Sequence, residues 1–333
     1  MDPCALGAPF INDQLRSFYR GITTHAPWLW SKIYLSTEKQ DFSRERLPMM
    51  RKPEQKLNEI IQQSTQLRAV VSTYPLYPYF LERIFKRAGK KLPIFTVVTD
   101  SININAAWRK APTDYWLVTD TYTRQDLIHQ GLPETSVIET GFPVNPHFAD
   151  LTPITADDPI QPFRVLYFPT AKKPHVRRLS REILNANGNQ THLTIVLGRN
   201  VRKLYKRARE IQQQYPQRVT IKGWTKRVPE LLTSHHLVVG KAGGATVHES
   251  LAAACPMLIH HLVPGQEEGN LQLLRKLNGG YLADTPGALA SHIREMLADK
   301  ANGWKSMKRS LARVARPSSA HTAANFILDH IDT

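Results

Sequence analysis

GKAGGATVHESLAAACPMLIHHLVPGQEEGN, residues 240–270, holds the pattern that decides the fold. The apolar run 237–240 ends in Lys241-Ala242-Gly243-Gly244, and helix-forming residues follow from Ala245 and Thr246. A glycine-rich turn between a strand and a helix leaves backbone N–H groups at the positive end of the helix dipole, an arrangement suited to a diphosphate. Glycines also occur at such turns only to tighten the connection, so the turn by itself leaves both roles open. Thr246 and Glu249 have the S/T-x-x-E spacing of a capping box, and on spacing alone that is the first reading. A second apolar run, 256–260, is followed by VPGQEEGN, which sets Gln266, Glu267, Glu268 and Asn270 beyond a strand's carboxyl end. Open α/β sheets bind their ligands in that crevice.

Outward from this stretch, short β-branched or apolar runs alternate with helical periodicity along most of the chain, which predicts parallel sheets wrapped by helices. Strands are expected at 69–73, 94–100, 115–119, 137–140, 164–168, 193–198, 219–222, 237–240, 257–260 and 280–283. Helices fall between them; over 54–66, for example, Leu57, Ile60 and Ile61 form one apolar stripe. The rhythm breaks at 148–163, where Pro, Thr and Asp cluster without periodicity, as in an interdomain linker. With 333 residues, two cores are expected: a first domain over 1–155, a second over 156–315, and a terminal helix over 316–333.

Forty-four Lys and Arg against 28 Asp and Glu give a net charge of +16, which draws the surface toward an anion without choosing among nucleic acid, acidic lipid and phosphorylated ligand. Cys4 and Cys255 are too few for a disulfide framework, which favours a reducing, cytoplasmic setting. No apolar run approaches the ~20 residues of a membrane span, so membrane contact is expected to be peripheral. Aromatic and cationic residues are interleaved at 16–34, including Arg16, Phe18, Arg20, Trp28, Trp30 and Lys32. Core packing and contact with a bilayer interface explain that mixture about equally. The basic run 201–211 reads as a solvated helix face, with anionic lipid as its best partner. His260-His261 lacks a third ligand at a metal-site spacing, so no metal is expected, and no nucleic-acid recognition motif accompanies the charge. Asp100, at the end of an expected strand, is either a catalytic carboxylate or an acceptor of turn N–H groups.

The segment 236–270 resembles the donor-binding half of the monogalactosyl- and processive glucosyl-diacylglycerol synthases, and more distantly the peptidoglycan N-acetylglucosaminyltransferase. The family pattern K-x-G-x-x-T-x-x-E-x-x-[small]-x-x-x-P, followed by P-G-Q-E-x-x-N, is met from Lys241 through Asn270. The stretches 97–108 with Asp100 and Trp108, 114–148, 195–200 and 219–232 resemble further family segments, although Asn105 stands where His is frequent. The resemblance implies the GT-B architecture: two Rossmann-like domains facing a cleft, with the final helix crossing back to the first. It implies that Gly223, Trp224 and Val228 frame a uracil and that Gly243, Gly244 and Thr246 hold a diphosphate. Glu249 would then hold ribose hydroxyls, and Gln266, Glu267 and Asn270 the sugar. Trp28, Trp30 and Trp108 are expected on the membrane or acceptor side. The implied reaction is inverting transfer of galactose or glucose from a UDP-sugar to diacylglycerol at the inner face of the cell membrane, with the UDP-sugar as substrate and no cofactor.

Two departures from the pattern bear on these expectations. The family's opening strand and Gly-rich, His-bearing loop have no counterpart here, as if roughly 40 residues were missing, so Asp100 is the substitute general base. The alternative is a catalytically silent protein that binds nucleotide-sugar or anionic membrane. After the first strand of the second domain, Thr170, Lys172, Lys173, His175, Arg177 and Arg178 replace a glycine-rich loop, exchanging backbone cradling for basic side chains.

Overall fold

A computed structural model describes residues 1–331 except Lys39, Asp41, residues 43–47, Lys90, Ala171, Lys172 and Gln266. It divides into two compact units, one of Met1–Phe142, Val263–Gln266 and His321–Thr333, the other of Pro143–Leu262 and Glu267–Ala320.

The first unit is built on a parallel sheet of β1 (Val70–Ser72), β2 (Ile94–Val97), β3 (Tyr115–Val118) and β4 (Val137–Glu139), in that spatial order. Period-two alternation sends Phe95, Val97 and Leu117 to one face and Trp116 and Val118 to the other. The first face is covered by the helix Ser319–Asp329, whose Ala323, Phe326 and Ile327 pack on it. Phe326 meets the Phe95 and Tyr115 rings edge-on at 6.3 and 5.3 Å. On the opposite face, Trp108, Trp116, Leu127 and Val137 form a second cluster. Three helices, Pro3–Gly7, Pro9–His25 and Pro27–Thr37, open the chain. Each has proline in its first turn, where the missing N–H is no loss.

The second unit carries six parallel strands: β5 (Phe163–Tyr167), β6 (Thr191–Val196), β7 (Val219–Lys222), β8 (Leu237–Lys241), β9 (Met257–His261) and β10 (Gly280–Leu282). Their spatial order is β10-β9-β8-β5-β6-β7. From β5 the chain builds outward through β6 and β7, then returns to lay β8, β9 and β10 on the other side. This is the doubly wound order, and its direction reverses between β5 and β8. The core is formed by buried aliphatic and aromatic residues from the strands, with Trp304 the largest of the helical contributions. Trp304 donates its indole N–H to the His236 carbonyl at 2.7 Å. It lies on the helix Pro286–Val314, which leaves helical geometry at Ala298–Ala301.

All ten expected strands are present, each within three residues of its expected ends. The division between units differs: it falls after Phe142, not at 155. The aperiodic segment 148–163 belongs to the second unit. Phe148 and Ala156 are buried, Ile154 donates its N–H to the Thr233 carbonyl, and Ile154 and Ile160 pack on the second core. Its prolines and Asp-Thr turn prevent regular structure, yet its scattered apolar residues anchor it.

Candidate functional site

The winding reversal places two strand ends side by side, β5 running into Phe168 and β8 into Lys241-Ala242-Gly243. The Phe168 N–H bonds the Val239 carbonyl at 2.9 Å, and the Phe168 carbonyl accepts from His260 Nε2 at 3.2 Å. That bond leaves His260 Nδ1 buried without a partner, and burial lowers the imidazole pKa to about 4, so the ring is neutral. His260 therefore ties β9 to the loop after β5.

The helix after β8 runs Gly244–Ala252, with Gly243 as its N-cap and no side chain capping it. Among the described residues, the backbone N–H groups of Gly244, Ala245 and Thr246 have no acceptor. The capping-box reading of Thr246 and Glu249 is thereby corrected. Because the helix starts at Gly244, Thr246 already lies inside its first turn and Glu249 is a further turn along. Thr246 turns its methyl group toward Gly240, where a β-carbon would meet it at 3.7 Å and Met257 Cε at 3.3 Å. The contact with Thr246 is an ordinary one, so helix and strand pack closely here, and a β-carbon at Gly240 would require only the flexible Met257 methyl to give.

Glu249 makes no hydrogen bond through its carboxylate among the described residues, and burial lifts its pKa from 4.5 to about 7. An unpartnered carboxylate one turn beyond an open helix start is well suited to a diol, because it can accept from both hydroxyls. Trp224 stands at the carboxyl end of β7 and is 56% exposed, with Gly223 before it and Val228 opening the helix Val228–Ser234. An exposed indole at the same end of the sheet offers a stacking face for a planar base.

The loop after β9 supports the Gly243 turn. Glu267 and Asn270, expected at the sugar, are buried at 4% and 2% exposure. Asn270 donates Nδ2–H to the Ala242 carbonyl at 2.9 Å, and Glu267 Oε1 accepts from Lys241 Nζ at 2.8 Å. Both side chains fasten the Gly243 turn from below. Polar residues beyond a strand end serve as ligand contacts or as supports, and spacing does not separate the two. Gln266 and Lys172 lie outside the described residues. Arg177 is committed to Glu210 at 3.1 Å, bracing the helix Lys173–Asn185 against Val201–Gln214.

In the first unit, Asp100 follows β2 and lines a pocket of about 370 Å³ with Tyr34, Thr37, Tyr74, Asn105 and Trp108. Its Oδ2 accepts the Trp108 indole N–H at 2.9 Å, which fixes the carboxylate's orientation. Asn105 is fully employed: Oδ1 caps Ala107 and Nδ2 donates to Thr37 Oγ1, each at 2.9 Å. Trp108, expected on the membrane or acceptor side, is 5% exposed; it lines this pocket and cannot reach a bilayer. Trp30 packs edge-on against Tyr19 at 4.8 Å, whereas Trp28 is exposed with the Lys32 ammonium 5.5 Å from its ring. The two long opening helices also expose Phe10, Leu15, Phe18, Leu29 and Leu35. Among the described residues, no helix is long and apolar enough to cross a membrane.

The family model for monogalactosyldiacylglycerol (MGDG) synthase matches residues 3–144. A processive diacylglycerol beta-glucosyltransferase of Bacillus subtilis (strain 168) is 22% identical over 250 residues, covering 74% of this chain and 64% of the relative. Its counterpart in Staphylococcus carnosus (strain TM300) is 27% identical over 253 residues, covering 73% and 62%. These matches span less than two thirds of each relative's length. Among solved structures, Acinetobacter baumannii MurG is similar at a TM-score of 0.60 and 12% identity, over 84% of this chain and 78% of that one. A putative UDP-N-acetylglucosamine 2-epimerase from Listeria monocytogenes is similar at a TM-score of 0.61 and 14% identity, over 88% and 81%. The fold is thus GT-B, two Rossmann-like units, and it houses more than one chemistry; the sequence relatives are diacylglycerol glycosyltransferases.

Proposed function

We propose that the protein transfers a hexose, glucose or galactose, from a UDP-sugar to diacylglycerol at a membrane surface. The observation that carries this reading is the uncapped Gly243–Thr246 turn at the winding reversal, in a chain whose sequence relatives are named diacylglycerol glucosyltransferases. Backbone N–H groups at Gly244, Ala245 and Thr246 would bind the diphosphate, Glu249 the ribose diol and Trp224 the uracil. These donors are fixed before substrate arrives, so stabilising charge on the departing UDP requires little reorganisation. The reading asks for no resident cofactor.

In the proposed inverting step the acceptor hydroxyl oxygen attacks the anomeric carbon from the face opposite UDP. The bond from that carbon to the β-phosphate oxygen breaks, and the acceptor proton passes to the Asp100 carboxylate. The exposed apolar residues Phe10, Phe18, Trp28 and Leu35, with Arg16, Arg20 and Lys32 nearby, would rest on an anionic inner leaflet.

Incubation with UDP-glucose or UDP-galactose and phosphatidylglycerol vesicles containing diacylglycerol tests this. The expected result is equimolar glycolipid and UDP, with Asp100→Asn at least ~100-fold slower. UDP binding without glycolipid from either donor would leave only the silent binding protein.

A further inference from the structure

One cation sits directly at the Gly243 turn. A β-carbon placed on Gly243 would lie 3.1 Å from Lys241 Cε and 3.2 Å from Lys241 Nζ, so the Lys241 side chain is folded back over the glycine from the preceding strand. Its ammonium is held there by Glu267 Oε1 at 2.8 Å. The two partners differ sharply in surroundings: the Lys241 side chain is 48% exposed and that of Glu267 is 5% exposed. Glu267 Oε1 itself comes within 3.6 Å of the Gly243 β-carbon position. A buried carboxylate so close to an anion-binding turn would repel a diphosphate unless a cation stood between them.

We infer that Lys241 contacts the donor's diphosphate, and that Glu267 is the positioning residue for Lys241, not a contact for the sugar. This rests on the UDP-sugar reading of the same turn. Lys241 completes the cradle with a side-chain charge where the N-cap glycine supplies none, and its half-exposed head can donate to phosphate oxygens at the turn while it stays paired with Glu267. Asn270, fastening Ala242 from beneath, keeps the backbone between the two residues fixed.

Titrating uridine, UMP, UDP and UDP-glucose into the native protein, Lys241→Met, Lys241→Arg, Glu267→Gln and the Lys241→Met/Glu267→Gln double variant tests the assignment. Lys241→Met is expected to bind UDP about tenfold or more weakly, UMP less affected and uridine within twofold of native, since a charged hydrogen bond is lost only where phosphate is present. Lys241→Arg should recover most of that loss. Glu267→Gln should weaken UDP and UDP-glucose by the same factor. In the Lys241→Met background the same change should strengthen UDP binding, because a carboxylate beside the turn is gone. A Glu267→Gln protein that binds UDP normally and UDP-glucose poorly would make Glu267 a sugar contact and overturn the inference. So would equal loss of uridine and UDP in Lys241→Met. Failure of the native protein to bind UDP would overturn the donor reading itself, and this inference with it.

Discussion

Each unit joins a buried parallel strand to a helix at the carboxyl edge of its sheet, and the two junctions are finished in opposite ways. In the first unit, β3 runs through Thr119 into Asp120, whose side chain caps the helix Thr121–His129 by accepting from the Thr123 N–H at 2.9 Å. The same carboxylate accepts the Thr119 and Thr123 hydroxyls, each at 2.7 Å. That helix start is sealed. In the second unit, β8 runs through Ala242 into Gly243, which has no side chain to cap with, and the helix start stays open. A connection of the same kind is made stable by closing its donors and made receptive by leaving them available. Openness at Gly243 carries a cost in helix stability that an anionic ligand would offset.

Closing the open junction should have the largest effect. Gly243→Asp installs the cap that the first unit uses. Gly243 has φ −68° and ψ 138°, so aspartate fits the backbone. Its carboxylate would occupy the helix donors and stand against Lys241 and Glu267. UDP affinity measured by calorimetry should fall more than ~100-fold, several charged hydrogen bonds being lost together, while the unliganded protein stays folded by circular dichroism, the flexible Lys241 side chain giving way.

The second effect is on pH dependence. Glu249, with a pKa near 7, must ionise to accept two ribose hydroxyls, so UDP affinity should rise about tenfold from pH 6 to pH 8. Glu249→Gln should flatten that profile. The stability of the unliganded protein moves the other way. Its folded pKa lies above the unfolded value, so the folded state holds a proton that the unfolded chain has released between pH 4.5 and about 7. Stability is therefore lost as pH rises through that window, and Glu249→Gln should remove this slope in denaturant titrations at pH 5 and pH 8.

Opening the sealed junction should have the smallest effect. Asp120→Ala leaves the Thr123 N–H and two hydroxyls without their acceptor, at about 1–2 kcal/mol of first-unit stability by urea denaturation, with UDP affinity unchanged. A matching loss of UDP affinity would mean that the contrast between the junctions is not what locates the ligand.

The strands were legible in sequence because fully buried parallel strands are short β-branched runs, such as 94–97 and 237–240, separated by breakers. The Gly243-Gly244 turn was legible for the same reason. Spacing alone did not tell a cap from a ligand contact at Thr246 and Glu249, because S/T-x-x-E means capping only if the helix begins just after the first residue, and the glycines begin it two residues before Thr246. The family resemblance put Glu267 and Asn270 at the sugar; their burial beneath the turn was not legible, because polarity at a strand end is visible in sequence and burial is not. The burial of Trp108, expected on the membrane or acceptor side, was not legible because its indole N–H partner, Asp100, lies eight residues away in sequence. The segment 148–163 looked like a linker because period-free sequence hides the few apolar residues that anchor it.

Amide hydrogen exchange with and without saturating UDP compares the two junctions in one experiment. The amides of Gly244, Ala245 and Thr246 should gain protection on binding, while those of residues 119–123 keep their rates. Protection at 119–123, or none at 244–246 in a protein that binds UDP, would contradict the placement of the donor at the open turn.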